Sequence, residues 1–550
     1  MGGGKHSMLN NCTLLISNKT IFNESYFDGY AFSGNDFIAG DEGYRNFIKC
    51  GKDFESNSDG NYLRINKLKD CIIIDRDFHG SYPIFYSKIG VRWWVSNSFV
   101  KLVSVLKREN VSLTCNCAQL QSWNSDLALT LQACSFETFF KEIKILPSHN
   151  FILIQNGNLE IRSNIKIETG DYSQSLFLLL TTWRARLNAL VNCSDIALRL
   201  DLTGGVDSRA VFSFFTQDRL LQKGLSKNKI MVFSDRRFKK DYEVATNIAN
   251  LCNISLNTPL DKIYSPKTQS VREQLSNWVN FNIARYSSFV IPPENYSNKK
   301  IYFGGEGGEE LRYFYGYHNN PPIENFSKYL ELYKQYFSTA DNFENWKRTI
   351  NQSLKQLKEY WTSSIPESIL HYREFRSTYH AIKAPRTQQK VPILASKYAW
   401  NLVCQVGNSE LTNNQIIFDI INSNYYKLLH IPFDTPEKAI MPETLKALRQ
   451  IQSDFNGSGD VYIGQSGENS NYFEPLVEIQ IDGQNYDNCL NALINDFDLP
   501  VMKDKIVNYC GERFYNKAMK RALELMHSPV SNVHAKGSFL HNLFVLKYLI

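Results

Sequence analysis

IALRLDLTGGVDSRAVFSFF, residues Ile196 to Phe215, is the stretch on which the reading of this chain turns. Ile196, Leu198, Leu200 and Leu202 are apolar at every second position, and beyond Thr203-Gly204-Gly205 the apolar residues Val206, Ala210, Val211 and Phe214 recur at helical spacing. The pattern predicts a strand, a tight turn and a helix. Two adjacent glycines remove the Cβ atoms that would hold an anion off the backbone, so successive amides and the positive end of the helix can close on a phosphate. Beside such a site Asp207 reads as a Mg²⁺ ligand and Ser208 as a hydroxyl donor. An ordinary turn in which Asp207 and Ser208 cap the helix is the alternative.

The turn matches neither G-x-x-x-x-G-K-[ST] nor G-x-G-x-x-G. It resembles the S-G-G-x-D-S loop of the N-type ATP pyrophosphatases, and within them the asparagine synthetase family, with Thr203 in place of the first Ser. The resemblance implies ATP as the nucleotide, cleaved between its α and β phosphates, with Leu202, Thr203, Gly204, Gly205, Asp207 and Ser208 around the departing pyrophosphate. Beyond a helix read from Arg209 to Leu221, Lys229 to Asp235 reads as a second buried strand and Asp241 to Leu251 as a helix. Strands alternating with helices predict a parallel sheet with ligands at its carboxyl ends. Val232 and Phe233 would then border the adenine, or simply pack in the core.

A further strand, Lys300 to Phe303, runs into Gly304-Gly305-Glu306-Gly307-Gly308-Glu309-Glu310, four glycines and three carboxylates in seven residues. That is poor core material, and it reads either as a flexible acidic turn or as backbone approaching a nucleotide with carboxylates facing Mg²⁺. It resembles the family's S-G-E-G-A-D-E-L. Gly304 and Gly305 stand at the S-G positions, and Glu309 stands where the second metal-binding Asp belongs. The segment Gln388-Gln389-Lys390-Val391-Pro392-Ile393-Leu394-Ala395 occupies the place of the family's E-x-R-x-P-F-L-D, with Gln388 for Glu, Lys390 for Arg and Ala395 for Asp. Loss of those charges puts aspartate in doubt as the acceptor. Lys383, Lys390 and Lys427 are the candidates for the catalytic lysine.

Residues 12–165 show short strands with turn punctuation: Asp59-Gly60-Asn61 introduces Tyr62 to Ile65, Cys71 to Ile74 and Trp93 to Ser96 follow, and a hairpin turns at Asn156-Gly157. Arg76-Asp77-Phe78-His79-Gly80-Ser81-Tyr82-Pro83-Ile84-Phe85-Tyr86 resembles the R-D-x-x-G-x-x-P-L-Y-Y of the family's glutamine amidotransferase domain. That domain uses an N-terminal Cys whose own amine is the base. Neither Gly2 nor Leu9 supplies one, and Cys12 is internal, so the expectation is a retained fold without glutamine hydrolysis, Asp77 bracing a strand end.

The expected organisation is a leader over 1–11, a degenerate glutaminase-like domain over 12–165, and an ATP-pyrophosphatase domain over 166–550. In fold terms that is an Ntn-hydrolase-like β-rich sandwich followed by a parallel-sheet α/β unit with a helical C-terminal part. The loop from Asn456 to Asn471 and the apolar stretch from Phe539 to Leu549 carry no visible chemistry.

A net charge of +6 over 550 residues, with no clustered basic run, argues against nucleic acid. No apolar run is long enough to span a bilayer and no signal peptide opens the chain, so a cytoplasmic location is expected. Among the 11 cysteines only Cys115 and Cys117 lie close, with no second pair at metal-site spacing, which reads as free thiols.

The resulting expectation is a ligase. ATP and Mg²⁺ activate a small-molecule, sugar-acid or peptide carboxylate as an acyl-adenylate, and ammonia or a substrate amine forms the amide. Enzymes of this layout make β-lactams, peptide macrolactams or sugar-acid amides. A non-catalytic nucleotide-binding scaffold and a glutamine-hydrolysing asparagine synthase are the rivals, and a homodimer is the assembly expected if one forms.

Overall fold

The computed structural model describes residues 12–123, 125, 127–164, 170–260, 271–286, 299–315, 326–361, 364–380, 389–452, 457–465, 471–478, 500–526 and 544–545. Over these residues the chain is mixed α/β with three sheets. Its strands, in chain order, are β1 Cys12–Ser17, β2 Tyr26–Ser33, β3 Asp36–Ala39, β4 Asp59–Lys67, β5 Cys71–Arg76, β6 Phe85–Ile89, β7 Arg92–Ser96, β8 Lys144–Ile145, β9 Asn150–Gln155, β10 Asn158–Ser163, β11 Ala197–Asp201, β12 Ile230–Phe233, β13 Lys300–Phe303, β14 Gln389–Lys390, β15 Val461–Ile463 and β16 Phe473–Pro475.

Two sheets, ordered β16-β1-β7-β6-β8 and β10-β9-β5-β4-β2-β3-β15, share one apolar core. Leu14, Ile16, Trp93 and Val95 meet Tyr26, Leu63, Ile65, Ile74 and Ile152 across it. Alternation along each strand makes this possible, because every second side chain points inward. The helix Gly40–Lys49 covers the outer face of the larger sheet through Tyr44 and Phe47, and the helix Phe99–Arg108 lies against Phe85 and Trp94 of the smaller one. The predicted hairpin turn is present: Asn156 and Gly157 both have positive φ, 50° and 75°, the combination a two-residue I′ turn demands.

Three features depart from the sequence reading. Asp59-Gly60-Asn61 is not a turn but the start of β4, and Gly60 is needed there because the Tyr30 and Ala31 backbone leaves no room for a Cβ. The helix expected from Arg209 to Leu221 stops at Phe215; Asp218 and Arg219 take positive φ, and a second helix, Leu220–Ser226, returns Leu220 and Leu221 to the core. Part of the expected Asn456–Asn471 loop is structural as well, since β15 within it extends β3, and β16 just beyond it extends β1, at the edges of the two sheets. Residues from the far end of the chain thereby complete the N-terminal layers.

The third sheet is fully parallel, ordered β12-β11-β13-β14. The chain leaves β11 for β12 on one side and returns to β13 on the other, so the carboxyl end of β11 is a point where the winding reverses. Crevices at such points are where parallel sheets bind ligands. One face of the sheet presents Leu198, Leu200, Val232, Ile301 and Phe303 to the helices Tyr172–Asn192 and Val206–Phe215. On the other, the Arg199 guanidinium stacks 3.9 Å from the Phe233 ring centroid and pairs with Asp201 at 2.7 Å. Among the described residues no helix is long and apolar enough to cross a membrane.

Candidate active site

The loop after β11 and the loop after β13 lie side by side. Their contact is tight: a Cβ on Gly305 would come within 2.7 Å of the Ser208 amide nitrogen and 2.8 Å of Asp207 Cβ, and one on Gly308 would collide with the Asp207 carboxylate. Only glycine permits this approach. The segment from Gln389 to Ala395 closes a third side. β14 pairs with β13 so that Lys390 is opposite Tyr302, and Ala395 packs on Gly307, whose φ of +90° lets the chain double back. Thr203, Gly204, Gly205, Asp207, Ser208, Gly304, Gly305, Glu309 and Lys390 are thus brought to one rim, with Leu202 fully buried beneath it.

Within the first loop the two glycines differ. The Gly204 amide donates to Asp241 Oδ1 at 2.8 Å, its carbonyl accepts from the Asp434 amide, and a Cβ there would meet Asp434 Cβ at 2.5 Å. Packing alone explains that glycine. A Cβ on Gly205 would find only Thr203 Oγ1, at 3.5 Å, so protein packing does not demand glycine there. Gly205 is also the N-cap of the helix Val206–Phe215, and no side chain caps it. The first-turn amides have no intrahelical partner, and the positive end of the helix dipole lies behind them.

The capping alternative for Asp207 does not hold. Its carboxylate is gripped from the side by the Arg312 guanidinium, Nη1 to Oδ1 and Nη2 to Oδ2, the latter at 2.7 Å. The Ser208 hydroxyl, expected as a donor to the ligand, is engaged within the loop: Ser208 Oγ lies 2.8 Å from Thr203 Oγ1 and accepts from the Thr203 amide at 3.1 Å, so it braces the loop. Burial and the neighbouring Asp207 carboxylate push the Glu309 carboxyl up to about 7, against the pull of Arg312. Asp207 and Glu309 are therefore two acidic groups close enough to repel each other, with Arg312 as the cation that offsets them. Such a pair suits Mg²⁺, which takes one or two protein carboxylates and completes its shell from phosphates and water.

Of the lysines, Lys390 is in the site and ion-paired with Glu306, while its carbonyl accepts from the Tyr30 hydroxyl of β2. Lys427 sits exposed on the turn Tyr426–His430, with no described bond to either loop. Lys383 and Gln388 lie outside the described residues. Phe233 ends β12 half-buried under Arg199, beside the loop whose Leu202 amide donates to its carbonyl at 2.8 Å.

Two cations of the rim were not anticipated. Arg312 is only three residues beyond Glu309, and the spacing was the available signal. Lys438, paired with Asp434 at 2.7 Å behind Gly204, has no local signal, being more than two hundred residues from the loop.

The strand-end aspartate of the N-terminal half is arranged differently. Asp77 is fully buried and accepts from the amides of His79 at 3.1 Å, Ser81 at 2.9 Å and Tyr82 at 3.1 Å. The same turn sends His79 across to Glu310, Nε2 to Oε2 at 2.7 Å, so it rests on the residue next to Glu309. A buried π-helical turn, Tyr372–Ser377, completes this seam: Glu374 accepts from the Ser148 amide at 2.7 Å, and Arg373 donates to the Phe78 carbonyl at 3.1 Å.

A scan against protein-family models finds no match to this chain, and a search of curated proteins finds no significant match.

Proposed function

We propose that the chain is an ATP-dependent ligase that activates a carboxylate as an acyl-adenylate and passes it to ammonia or an amine, as the resemblance to asparagine synthetases implies. The observation that carries this reading is the meeting of the two glycine-rich loops at the carboxyl ends of β11 and β13, with the uncapped helix and the open Gly205 position between them. A substrate carboxylate oxygen attacks the α phosphorus of ATP and pyrophosphate leaves. The amine nitrogen then attacks the acyl carbon, and AMP leaves as the amide forms.

In this scheme the Gly205 opening and the first-turn amides hold the departing pyrophosphate by preorganised N–H donors. Phe233 and Arg199 border the base. Asp207 and Glu309 would hold Mg²⁺, which when bound neutralises charge on the phosphates. Lys390, released from Glu306 when substrate enters, meets negative charge near the α phosphate, and Lys438 offers a second cation behind Gly204. The two-sheet half would be an Ntn-type amidotransferase fold, serving as the wall on which the segment from Gln389 to Ala395 is seated. The proposed setting is the cytoplasm, with a small-molecule, sugar-acid or peptide acid as substrate.

A non-catalytic nucleotide-binding scaffold is the second reading, favoured by the ion pairs that occupy Asp207 and Lys390. Pyrophosphate release distinguishes them. With ATP, Mg²⁺, an amine and a panel of carboxylic acids, the ligase releases pyrophosphate and AMP in equal amounts for at least one acid. Nucleotide binding without release on every acid tried favours the scaffold.

A further inference from the structure

The expectation of free thiols at Cys115 and Cys117 rests on two sulfurs, and the fold brings up a third. Cys510, nearly four hundred residues further on, ends the helix Pro500–Cys510 and places its sulfur beside the other two, all three Sγ atoms lying within 4.8 Å of one another. Cys115 and Cys117 are 4.0 Å apart, too far for a disulfide. Tetrahedral coordination at a Zn–S distance of about 2.3 Å sets ligand sulfurs about 3.8 Å apart, so the spacing is that of a shared ion.

The surroundings are electron-rich. Cys510 is at a helix C-terminus, where the dipole is negative, and the Cys117 thiol donates to the Tyr509 carbonyl oxygen at 2.8 Å. Three soft donors and a carbonyl converge there, and the Lys141 ammonium acts on both Cys115 and Cys117. The donors are also held in place: the Asn116 amide donates to the Phe139 carbonyl at 2.7 Å, the Lys141 amide to the Thr114 carbonyl at 3.0 Å, and Cys115 bridges to Phe140.

We infer that Cys115, Cys117 and Cys510 form a binding site for a thiophilic d10 cation, zinc(II) or copper(I), with the fourth position left to water or the Tyr509 carbonyl oxygen. Binding displaces the thiol protons to solvent, and three thiolates on zinc(II) leave one net negative charge beside Lys141. The ion clasps the C-terminal helix pair, Pro500–Cys510 and Glu512–Met526, onto the 115–117 segment. Arg513 to the Ser338 carbonyl at 3.1 Å and Lys517 to the Gln335 carbonyl at 2.7 Å fasten the same pair to the turn Glu331–Tyr336 and its exit. None of these residues belongs to the proposed nucleotide site.

The test uses full-length protein, reduced and stripped with chelator, then titrated separately with zinc(II), with copper(I) and, as an absorbing stand-in for zinc, with cobalt(II). One equivalent of zinc(II) or copper(I) retained through desalting, lost in Cys510→Ser and in Cys115→Ser but kept in Cys50→Ser, bears the site out, and the arm that retains its ion names it. A sulfur-to-cobalt charge-transfer band in the unmutated protein supports the site even if the variants fold poorly. No retained ion in either arm from fully reduced protein, or full retention by Cys510→Ser, overturns it. So does a Cys115–Cys117 disulfide that forms in place of metal uptake, read as a two-dalton loss.

Discussion

Asp77 follows directly on β5 and Asp207 lies in the first turn of the helix after β11, and the two carboxylates have opposite fates. The Asp77 turn is shut: three backbone amides use up the carboxylate, Arg76 donates to the Tyr82 and Leu146 carbonyls, and His79 and Arg373 seal the surroundings. At the Asp207 turn the carboxylate is satisfied by one side chain, Arg312, and the helix amides behind it have no cap. A carboxylate bonded to its own turn is a structural part. One held by a single guanidinium at the head of an uncapped helix can exchange that partner for a ligand.

Removing each carboxylate gives the sharpest contrast. Asp77→Ala strands three buried amides and is expected to cost about 3–5 kcal/mol of stability, read by denaturant unfolding. Asp207→Ala is expected to change stability by under about 1 kcal/mol and to cut pyrophosphate release by about 10²–10³-fold. If Asp77→Ala unfolds no earlier than Asp207→Ala, the distinction between closed and open turns fails.

The adjacent glycines refine it. Gly204→Ala must push Asp434 aside and is expected to lose about 1–3 kcal/mol. Gly205→Ala meets no protein atom closer than 3.5 Å, so it should fold nearly as well while binding ATP at least about tenfold more weakly, measured by calorimetry. Equal ATP affinity in Gly205→Ala would remove the phosphate from that position.

Acid should loosen the closed side. Burial lowers His149 to about 4 and His371 to about 3 from an ordinary 6.5, so both are neutral in the fold. Below pH 6.5 the unfolded chain binds protons that the folded chain does not, and stability falls as pH drops from 6.5 toward 4. For His149, stacked 4.4 Å from Tyr360, the loss is at most about 3 kcal/mol, and His149→Phe should flatten that part of the profile. The smallest effect separates two lysines: Lys390→Ala should slow turnover by about tenfold, and exposed Lys427→Ala should leave rate and stability unchanged within about 0.5 kcal/mol.

What was legible in the sequence was local. The alternation through Leu198, Leu200 and Leu202, the paired glycines and the helical spacing after them place β11, its turn and its helix in one short window, and Asn156-Gly157 marks the hairpin in the same way. Distant pieces were not legible. That Val461 would pair with Phe37 and Phe473 with Leu14 follows from sheet edges needing partners, and no residue near 461 announces it. Arg312 on Asp207, Lys438 behind Gly204 and His79 on Glu310 are likewise products of folding. The break at Asp218 escaped because the apolar spacing continues through it, and only the positive φ at two residues shows the chain restarting. The lysine assignment was ambiguous for the same reason: Lys390 and Lys427 look alike until β14 carries one of them to the rim.

The most direct measurement is ATP binding with Mg²⁺ by equilibrium dialysis, comparing the unmutated chain with Gly205→Ala and Asp77→Asn. One nucleotide per chain, weakened in Gly205→Ala and unchanged in whatever Asp77→Asn remains folded, is the predicted result. No uptake by the unmutated chain, or uptake that depends on Asp77 and ignores Gly205, would contradict it.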